Sequence, residues 1–281
     1  MRKKFTQKEI LSVIDLYNNG KQQWEIAKHI NCAQTSISGI LRRNKIITRV
    51  GKKITYNDIN KNFFKEINYE TSAYFLGFLY ADGCVQIKNN TYTTSLKLKN
   101  NDQYIIEKFR DIMSPSSPIK ISYGKYSCFR INQKEICEQL ISHGCVPNKS
   151  LILEFPKTVP NELIRHFLRG YSDGDGCIYK NKLQKTITSK VHINTIWKII
   201  STKQFCNQTA KILKEQLGIN CSQSLSRPKT NQITTTLSVG GNLQVRKILD
   251  WMYQDSTIYL PRKHEKYLEF KNNQSVSSKV S

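Results

Sequence analysis

A thirteen-residue segment occurs twice in this chain, and that repeat limits what the chain can fold into. Ala73–Val85 reads AYFLGFLYADGCV and His166–Ile178 reads HFLRGYSDGDGCI. Each is an apolar helical run ending in an acid, a glycine, a cysteine and a β-branched residue, and the two acids, Asp82 and Asp175, lie 93 positions apart. After each copy the pattern predicts the same order of elements: two strands, a helix, two strands, a helix. A repeat of this length implies a duplicated half-domain and a pseudo-twofold axis between the halves.

Small residues recur on one face of each helix, Gly77 and Ala81 in the first copy and Gly170 and Gly174 in the second. Positions four apart are neighbours on a helix surface. Small side chains there let two backbones approach closely, so the two helices are expected to pack against each other at the axis. Their C-terminal ends then meet. Gly83 and Gly176 read as left-handed C-caps. Asp82 and Asp175 fall in the last turns, where a carboxylate faces the negative end of the helix dipole at a cost of about 0.3–1 kcal/mol. Two such acids also repel each other, and a cation should compensate. Two carboxylates, few competing nitrogen or sulfur ligands and a polyanionic partner suit Mg²⁺, which takes one or two protein carboxylates and completes its shell with water and phosphate oxygen.

The polyanion is indicated by charge. The 281 residues include 44 Lys+Arg against 21 Asp+Glu, a formal net charge of +23. Such a surplus repels itself in a compact globule unless nucleic acid or an anionic surface relieves it. With 38% hydrophobic and 10% aromatic residues the chain is not a disordered polycation. No apolar run approaches a membrane span, and MRKKFTQKEIL is not followed by a secretory apolar region. An intracellular protein at DNA is expected, in the cytoplasm or nucleoid of a bacterium or phage host or in an organelle matrix, with no membrane partner. The eight cysteines are scattered and none forms a CxxC, so they read as reduced core thiols rather than zinc ligands or a disulfide scaffold.

Residues 1–50 read as three short helices. Thr6 and Glu9 form a capping box, Ile10, Val13, Ile14 and Tyr17 follow at helical spacing, and Gly20 closes the element. A second helix is expected over Gln22 to Ile30, with a tight connection through Asn31 to Ala33. The third helix carries Ile37, Ile40 and Leu41, and its polar positions Gln34, Thr35, Ser36, Ser38, Arg42 and Arg43 read as the DNA-facing side of a helix-turn-helix. Residues 1–54 carry +9 and the remainder +14. Residues 51–65 read as a linker, 66–156 and 157–271 as the two halves, and 272–281 as a polar tail.

Phe75–Gly83 and Leu168–Gly176 resemble the nine-residue motif that defines LAGLIDADG homing endonucleases, specifically the single-chain, two-motif type. Lys149–Pro160, KSLILEFPKTVP, resembles the family's bridge between halves, and Ile248–Tyr267 resembles its closing segment. The resemblance covers roughly residues 66 to 271 and leaves the helix-turn-helix outside. Two positions depart from the motif. Tyr80 stands where the second copy has Asp173, and Phe75 replaces the leading leucine. Asp173 is then left to helix solvation or a local cap.

The resemblance implies an α+β fold: two pseudo-symmetric αββαββα halves with antiparallel DNA-binding sheets, preceded by the small all-α unit. It implies hydrolysis of both strands of a duplex by a monomer, using Mg²⁺ with Mn²⁺ able to substitute, at a long pseudo-palindromic site in double-stranded DNA. Asp82 and Asp175 would hold the metal, with Ala81 and Gly174 beside them as further candidate ligands. Lys149 and Lys263 would stand near the scissile phosphates, as would Lys97 with less weight. Base contacts would come from Cys84–Lys99, Ile119–Ile131, Cys177–Thr202 and Cys221–Val239. Candidate side chains there are Gln86, Lys88, Lys97, Lys99, Lys125, Arg130, Lys180, Lys198, Arg227 and Lys229. The alternatives are a non-cleaving DNA-binding regulator and an intron RNA maturase, whose partner would be its host intron RNA. An intein is disfavoured by Met1, the polar stretch Gln274–Ser281 and the missing terminal His-Asn junction.

Overall fold

The structure is a computed structural model that describes residues 5–46, 56–184, 191–226 and 233–277. The chain divides into two units, Met1–Thr55 and Tyr56–Ser281. In the first, helices α1 (Gln7–Asn18), α2 (Gln23–His29) and α3 (Gln34–Arg43) enclose Val13, Tyr17, Ile26, Ala27, Ile37, Ile40 and Leu41. The Thr6–Glu9 capping box forms: Thr6 N–H donates to Glu9 Oε2 at 2.8 Å and Glu9 N–H donates to Thr6 Oγ1 at 3.3 Å. The α2–α3 turn passes through Asn31 at φ 52°, a left-handed conformation that asparagine tolerates.

The second unit repeats one motif twice. Its first half is α4 (Glu70–Asp82), β1 (Gly83–Lys88), β2 (Thr91–Lys99), α5 (Gln103–Met113), β3 (Lys120–Ser122), β4 (Tyr126–Ile131) and α6 (Lys134–Ser142). The second is α7 (Ile164–Asp175), β5 (Cys177–Gln184), β6 (Val191–Ser201), α8 (Lys203–Leu217), β7 (Ser222–Ser226), β8 (Thr234–Gly240) and α9 (Asn242–Tyr253), followed by α10 (Pro261–Ser277). Both sheets are antiparallel and four-stranded, in the orders β1-β2-β4-β3 and β5-β6-β8-β7. Their registers correspond. Ser95 pairs with Cys84 and Arg130, and Lys198 pairs with Cys177 and Ser238.

Helices α4 and α7 form the centre, as the small-residue pattern predicts. Every residue of α4 from Ser72 to Tyr80 is buried. A Cβ on Gly77 would stand 2.0 Å from the Phe167 carbonyl oxygen, and one on Gly170 would stand 2.0 Å from that of Tyr74. The two backbones therefore touch where each helix lacks a side chain.

Three boundary expectations need correction. Gly83 and Gly176 are not left-handed caps; they are extended, at φ −76°, ψ 154° and φ −84°, ψ 162°. Each helix runs straight into a strand, and glycine is needed there for space. A Cβ on Gly83 would lie 2.6 Å from Leu79 O, and one on Gly176 would lie 2.4 Å from Ser172 O. The stretch expected as linker over 51–65 is packed from Tyr56 onward. Phe63 and Phe64 are buried, and Asp58 accepts from Ser114 Oγ at 2.8 Å and from Ser116 N–H at 2.6 Å. It lacks periodicity because it covers the end of α5 as irregular chain. The stretch expected as a polar tail over 272–281 begins inside α10, which continues to Ser277.

All eight cysteines are free, with Cys137, Cys145 and Cys206 buried in the core. Among the described residues no helix is long and apolar enough to cross a membrane.

Substituting Gly77→Ala or Gly170→Ala forces two backbones apart and should destabilise the protein by about 1–3 kcal/mol. Gly39→Ala on α3 meets nothing closer than Arg43 Nη2 at 4.0 Å. It should be neutral or stabilising by up to about 1 kcal/mol. Urea unfolding of the three variants measures both, and unaltered midpoints for the first two would disprove the backbone contact.

Candidate active site at the paired helix ends

The crossing of α4 and α7 brings their last turns together. A Cβ on Gly174 would lie 2.5 Å from Ala81 Cβ and 3.0 Å from Asp82 Oδ2, so the Asp82 carboxylate rests against the end of the opposite helix. Asp82 and Asp175 both reach solvent. The protein packed around Asp82 disfavours its charge most, and the Asp175 carboxylate adds to this. Together they push the Asp82 carboxyl up to about 6 against the pull of Lys149. Asp175 is raised for the same first reason, with Lys149 and Lys263 opposing.

The two predicted lysines enter this cluster from equivalent places. Lys149 lies in a short 3-10 turn, Lys149–Leu151, entered through Asn148 at φ 56°. Its buried Nζ donates to the Gly83 carbonyl. Lys263 lies in the first turn of α10, and its Nζ donates to the Gly176 carbonyl and to Ser172 O at 3.3 Å. Burial draws the Lys263 ammonium below its usual range. Carbonyls at a helix C-terminus have no partner within the helix and carry its negative end. The lysines satisfy them and set a positive charge beside each acid.

Lys97 is on the open face of the first sheet, one position beyond the Gly83–Leu96 pair, with Nζ 4.9 Å from the Tyr126 ring centroid. Strand alternation separates the remaining sheet candidates. Val85, Leu96, Leu98, Phe129 and Ile131 face the core, so Gln86, Lys88, Lys97, Lys99 and Arg130 lie on the open face. Lys125 is exposed in the β3–β4 turn. In the second sheet Lys198 is on the open face, 5.2 Å from the Tyr179 ring centroid. Lys180 does not share it. It pairs with the buried Thr195 and belongs to the other face, a one-residue parity that needs a register to be seen. Arg227 and Lys229 lie outside the described residues. Among the described residues, no strand of either sheet contains an aspartate or glutamate. On α3, Gln34, Thr35, Ser38, Arg42 and Arg43 are exposed and Ser36 is half-buried.

Sequence reasoning left Asp173 to solvation, and the structure corrects this. Asp173 is fully buried and accepts hydrogen bonds from Tyr74 Oη at 2.9 Å, Tyr253 Oη at 2.5 Å and Leu260 N–H at 2.8 Å. Burial pushes its carboxyl up, and these donors oppose the shift. Tyr80, at the matching place in the first copy, donates to the His143 carbonyl instead. A second tie was also missed. Arg169 is fully buried, with Nη2 2.6 Å from Glu70 Oε1, Nη1 2.7 Å from Met252 O and Nε 3.0 Å from Ile258 O. Arg262 forks onto Asp102 at 2.8 and 3.0 Å. These contacts fix the segment that delivers Lys263 against both halves. The signal was an arginine and an acid on a helix otherwise packed all round.

The donor set at the helix ends is hard oxygen. Among the described residues no group of three or more His, Cys, Asp or Glu could hold a metal, so a closed four-ligand zinc site has no candidates. Two carboxylates beside open solvent suit a divalent cation that keeps several waters.

No family model matches the chain. Among curated proteins it is 27% identical over 177 residues to DNA-directed RNA polymerase subunit Rpo1C of Methanocaldococcus jannaschii, covering 58% of this chain and 20% of that one. It is 30% identical over 153 residues to the probable translation initiation factor IF-2 of the same organism, covering 52% and 12%. The chain thus spans a fifth or less of the length of these relatives. Among solved structures, the I-SmaMI LAGLIDADG homing endonuclease bound to cleaved DNA aligns at a TM-score of 0.54 and 12% identity, covering 76% of this chain and 91% of that one. The LAGLIDADG meganuclease I-AabMI bound to uncleaved DNA aligns at 0.50 and 16%, covering 74% and 90%. I-SmaMI bound to an uncleaved DNA target in the presence of calcium ions aligns at 0.51 and 13%, covering 74% and 92%. The second unit has the LAGLIDADG homing endonuclease fold.

A carboxyl raised in the folded state stabilises the fold below its unfolded value, and that contribution is lost as pH rises through the folded value, about 6 for Asp82. In chelator, Asp82→Asn should therefore raise Tm at about pH 7.5, with a stability gain of no more than about 1 kcal/mol because solvent screens the site, and the gain should shrink toward about pH 5. A Tm difference independent of pH would count against a strained carboxylate pair.

Proposed function

We propose that the chain is a site-specific, divalent-metal-dependent endonuclease that cuts both strands of double-stranded DNA. The observation carrying this reading is the juxtaposition of Asp82 and Asp175 at paired helix ends, each beside its own buried lysine, next to two acid-free antiparallel sheets. The three solved structures described above were captured on DNA, which supports the same partner here.

On this reading each residue has a task. Asp82 and Asp175, with the backbone at Ala81 and Gly174 beside them, would hold the cation. A bound Mg²⁺, or Mn²⁺ in its place, stabilises charge on a phosphoryl oxygen and lowers the pKa of a coordinated water. Lys149 and Lys263 are fixed by hydrogen bonds to Gly83 and Gly176, so their charges need no reorganisation as negative charge grows on phosphate. The sheets grip the duplex through Lys88, Lys97, Lys99, Arg130 and Lys198, and a two-stranded ribbon of such a sheet fits the major groove. The first unit adds a helix-turn-helix contact through α3. One chain supplies both halves, so the enzyme acts as a monomer.

Purified protein with Mg²⁺ should linearise a supercoiled plasmid bearing the insert-free sequence of its flanking locus. Loss of a metal's outer-shell partner already costs about 10–100-fold, so Asp82→Asn or Asp175→Asn should reduce double-strand cutting by about 100-fold or more while leaving binding measurable. A plasmid that stays supercoiled, or full cutting by either variant, would sink this reading.

Deleting residues 1–54 tests the first unit. Tethering a second module raises affinity by about 100-fold or more without new contacts in the first. The truncated protein should bind that much more weakly, with a shallower salt dependence, and still cut in Mg²⁺. Equal affinity and slope would show that this unit does not read DNA.

A further inference from the structure

The first turn of α10 touches both halves, and it sends two neighbouring cations in different directions. Lys263 reaches the end of α7 and donates to the Gly176 carbonyl. Arg262, one residue earlier and about 100° away around the helix, reaches the first half. Its Nε and Nη2 donate to the two carboxylate oxygens of Asp102, the buried N-cap residue of α5, at 2.8 and 3.0 Å.

A guanidinium carries five N–H donors in one plane. Asp102 takes two of them, along the Nε–Nη2 edge. The other three lie along the Nη1–Nη2 edge, whose spacing suits two oxygens of a phosphate. Among the described residues these three have no partner. The Arg262 side chain is 49% exposed and that of Asp102 12%. One edge of the fork is thus clamped to the protein and the other is open.

This open edge belongs to the Asp82 side of the site. The cations that act most on the Asp82 carboxyl are Lys149 and Arg262, whereas those on Asp175 are Lys149 and Lys263. Both lysines are buried and donate to main-chain carbonyls. Arg262 is exposed and has donors to spare. The pair is not repeated across the pseudo-twofold axis. Asn148 precedes Lys149 where Arg262 precedes Lys263. At the N-cap of α8, Thr202 donates to the Leu153 carbonyl where α5 has Asp102 and its ion pair.

As a clamp the pair adds little. An exposed ion pair contributes about 0–1 kcal/mol, and Arg169 and Asp173 already hold Ile258 and Leu260. Its distinctive effect is to fix a guanidinium plane on the Asp82 side before any substrate arrives. A charge fixed in advance needs no reorganisation as negative charge grows on a phosphate.

We infer that Arg262 is a phosphate-binding residue of the Asp82 half: its open edge holds nonbridging oxygens of the DNA strand cut there, and Asp102 orients it. This rests on the endonuclease reading above and makes the two cuts unequal in what they require. One strand depends on an arginine and the other does not.

The test is cutting of the insert-free locus, with a different label on each strand, by the full-length protein in Mg²⁺. Wild type, Arg262→Gln and Asp102→Asn are compared, with urea unfolding of each. Arg262→Gln should slow one strand by about 100-fold and leave the other near its wild-type rate, so that supercoiled plasmid accumulates as nicked circle. Binding of this variant in Ca²⁺ should lose one phosphate contact, lowering the salt slope by about one. Asp102→Asn keeps the guanidinium and should slow the same strand by less. Because the ion pair is exposed, both variants should keep urea midpoints close to wild type. Both also lose the same pair, so a mere clamp predicts equal losses in the two variants and in the two strands. That outcome, or wild-type cutting of both strands by Arg262→Gln, would overturn the inference and leave the nuclease standing. Wild-type protein that cuts neither strand would overturn the endonuclease reading itself.

Discussion

The contact between the backbones of α4 and α7 is the constraint on which the rest of the second unit depends. Gly77 and Gly170 allow it, since a single methyl at either position would occupy a carbonyl oxygen of the other helix. Interhelical distance is thereby set by main chain, which cannot change rotamer. That rigidity decides how far apart Asp82 and Asp175 can be, because each is the last residue of one of the two helices. It also fixes the start of β1 and β5, since Gly83 and Gly176 turn directly from helix into strand. The carboxylates and the first strand of each sheet are therefore placed by the same crossing.

Such a placement is costly, and the chain carries the compensation nearby. Burial first, and the neighbouring Asp175 second, disfavour charge on Asp82 and raise its carboxyl. Lys149 and Lys263 offset this while satisfying the carbonyls of Gly83 and Gly176. Each lysine needs its own anchor. Lys149 follows α6, whose C-terminal His143 accepts a hydrogen bond from Tyr80 of α4. Lys263 follows the 254–262 segment, held by Asp173 at Leu260, by Arg169 at Ile258 and by Arg262 on Asp102. Tyr80 lies on the helix that carries Asp82, and Arg169 and Asp173 lie on the helix that carries Asp175, so each lysine's segment is tied to an acid-bearing helix.

Much of this is legible in the sequence, for identifiable reasons. The helix crossing shows as small residues at four-residue spacing, a pattern that survives because backbone contact tolerates nothing larger. The paired acids and their glycines show as a repeat. The conformation of Gly83 and Gly176 does not, because glycine marks equally well a positive φ and a lack of room, and only the path of the chain tells which applies. Asp173 was misassigned because its donors, Tyr74, Tyr253 and Leu260, are brought together only by the fold. Lys180 falls on the face opposite Lys198, which strand composition does not reveal because one residue of register reverses it. The packed segment from Tyr56 to Lys65 reads as linker because irregular chain buries Phe63 and Phe64 without any period.

Where the two halves differ is as informative as where they agree. Gly77 and Gly170, the acids and the lysines correspond, because two-fold geometry requires the same backbone and charge on both sides. Tyr80 against Asp173 and Leu76 against Arg169 do not correspond, and in each case the residue from the second half reaches the segment leading into α10, an element that follows the second half. The extra helix therefore explains the asymmetry inside the core. Among the described residues the open faces of the sheets are exposed or half-buried, and strand pairing there depends only on main chain. Side chains at equivalent open positions are free of the symmetry that the helices obey, and they diverge, lysine against isoleucine at 97 and 200. A scaffold that must be symmetric at its axis can thus carry a surface that is not.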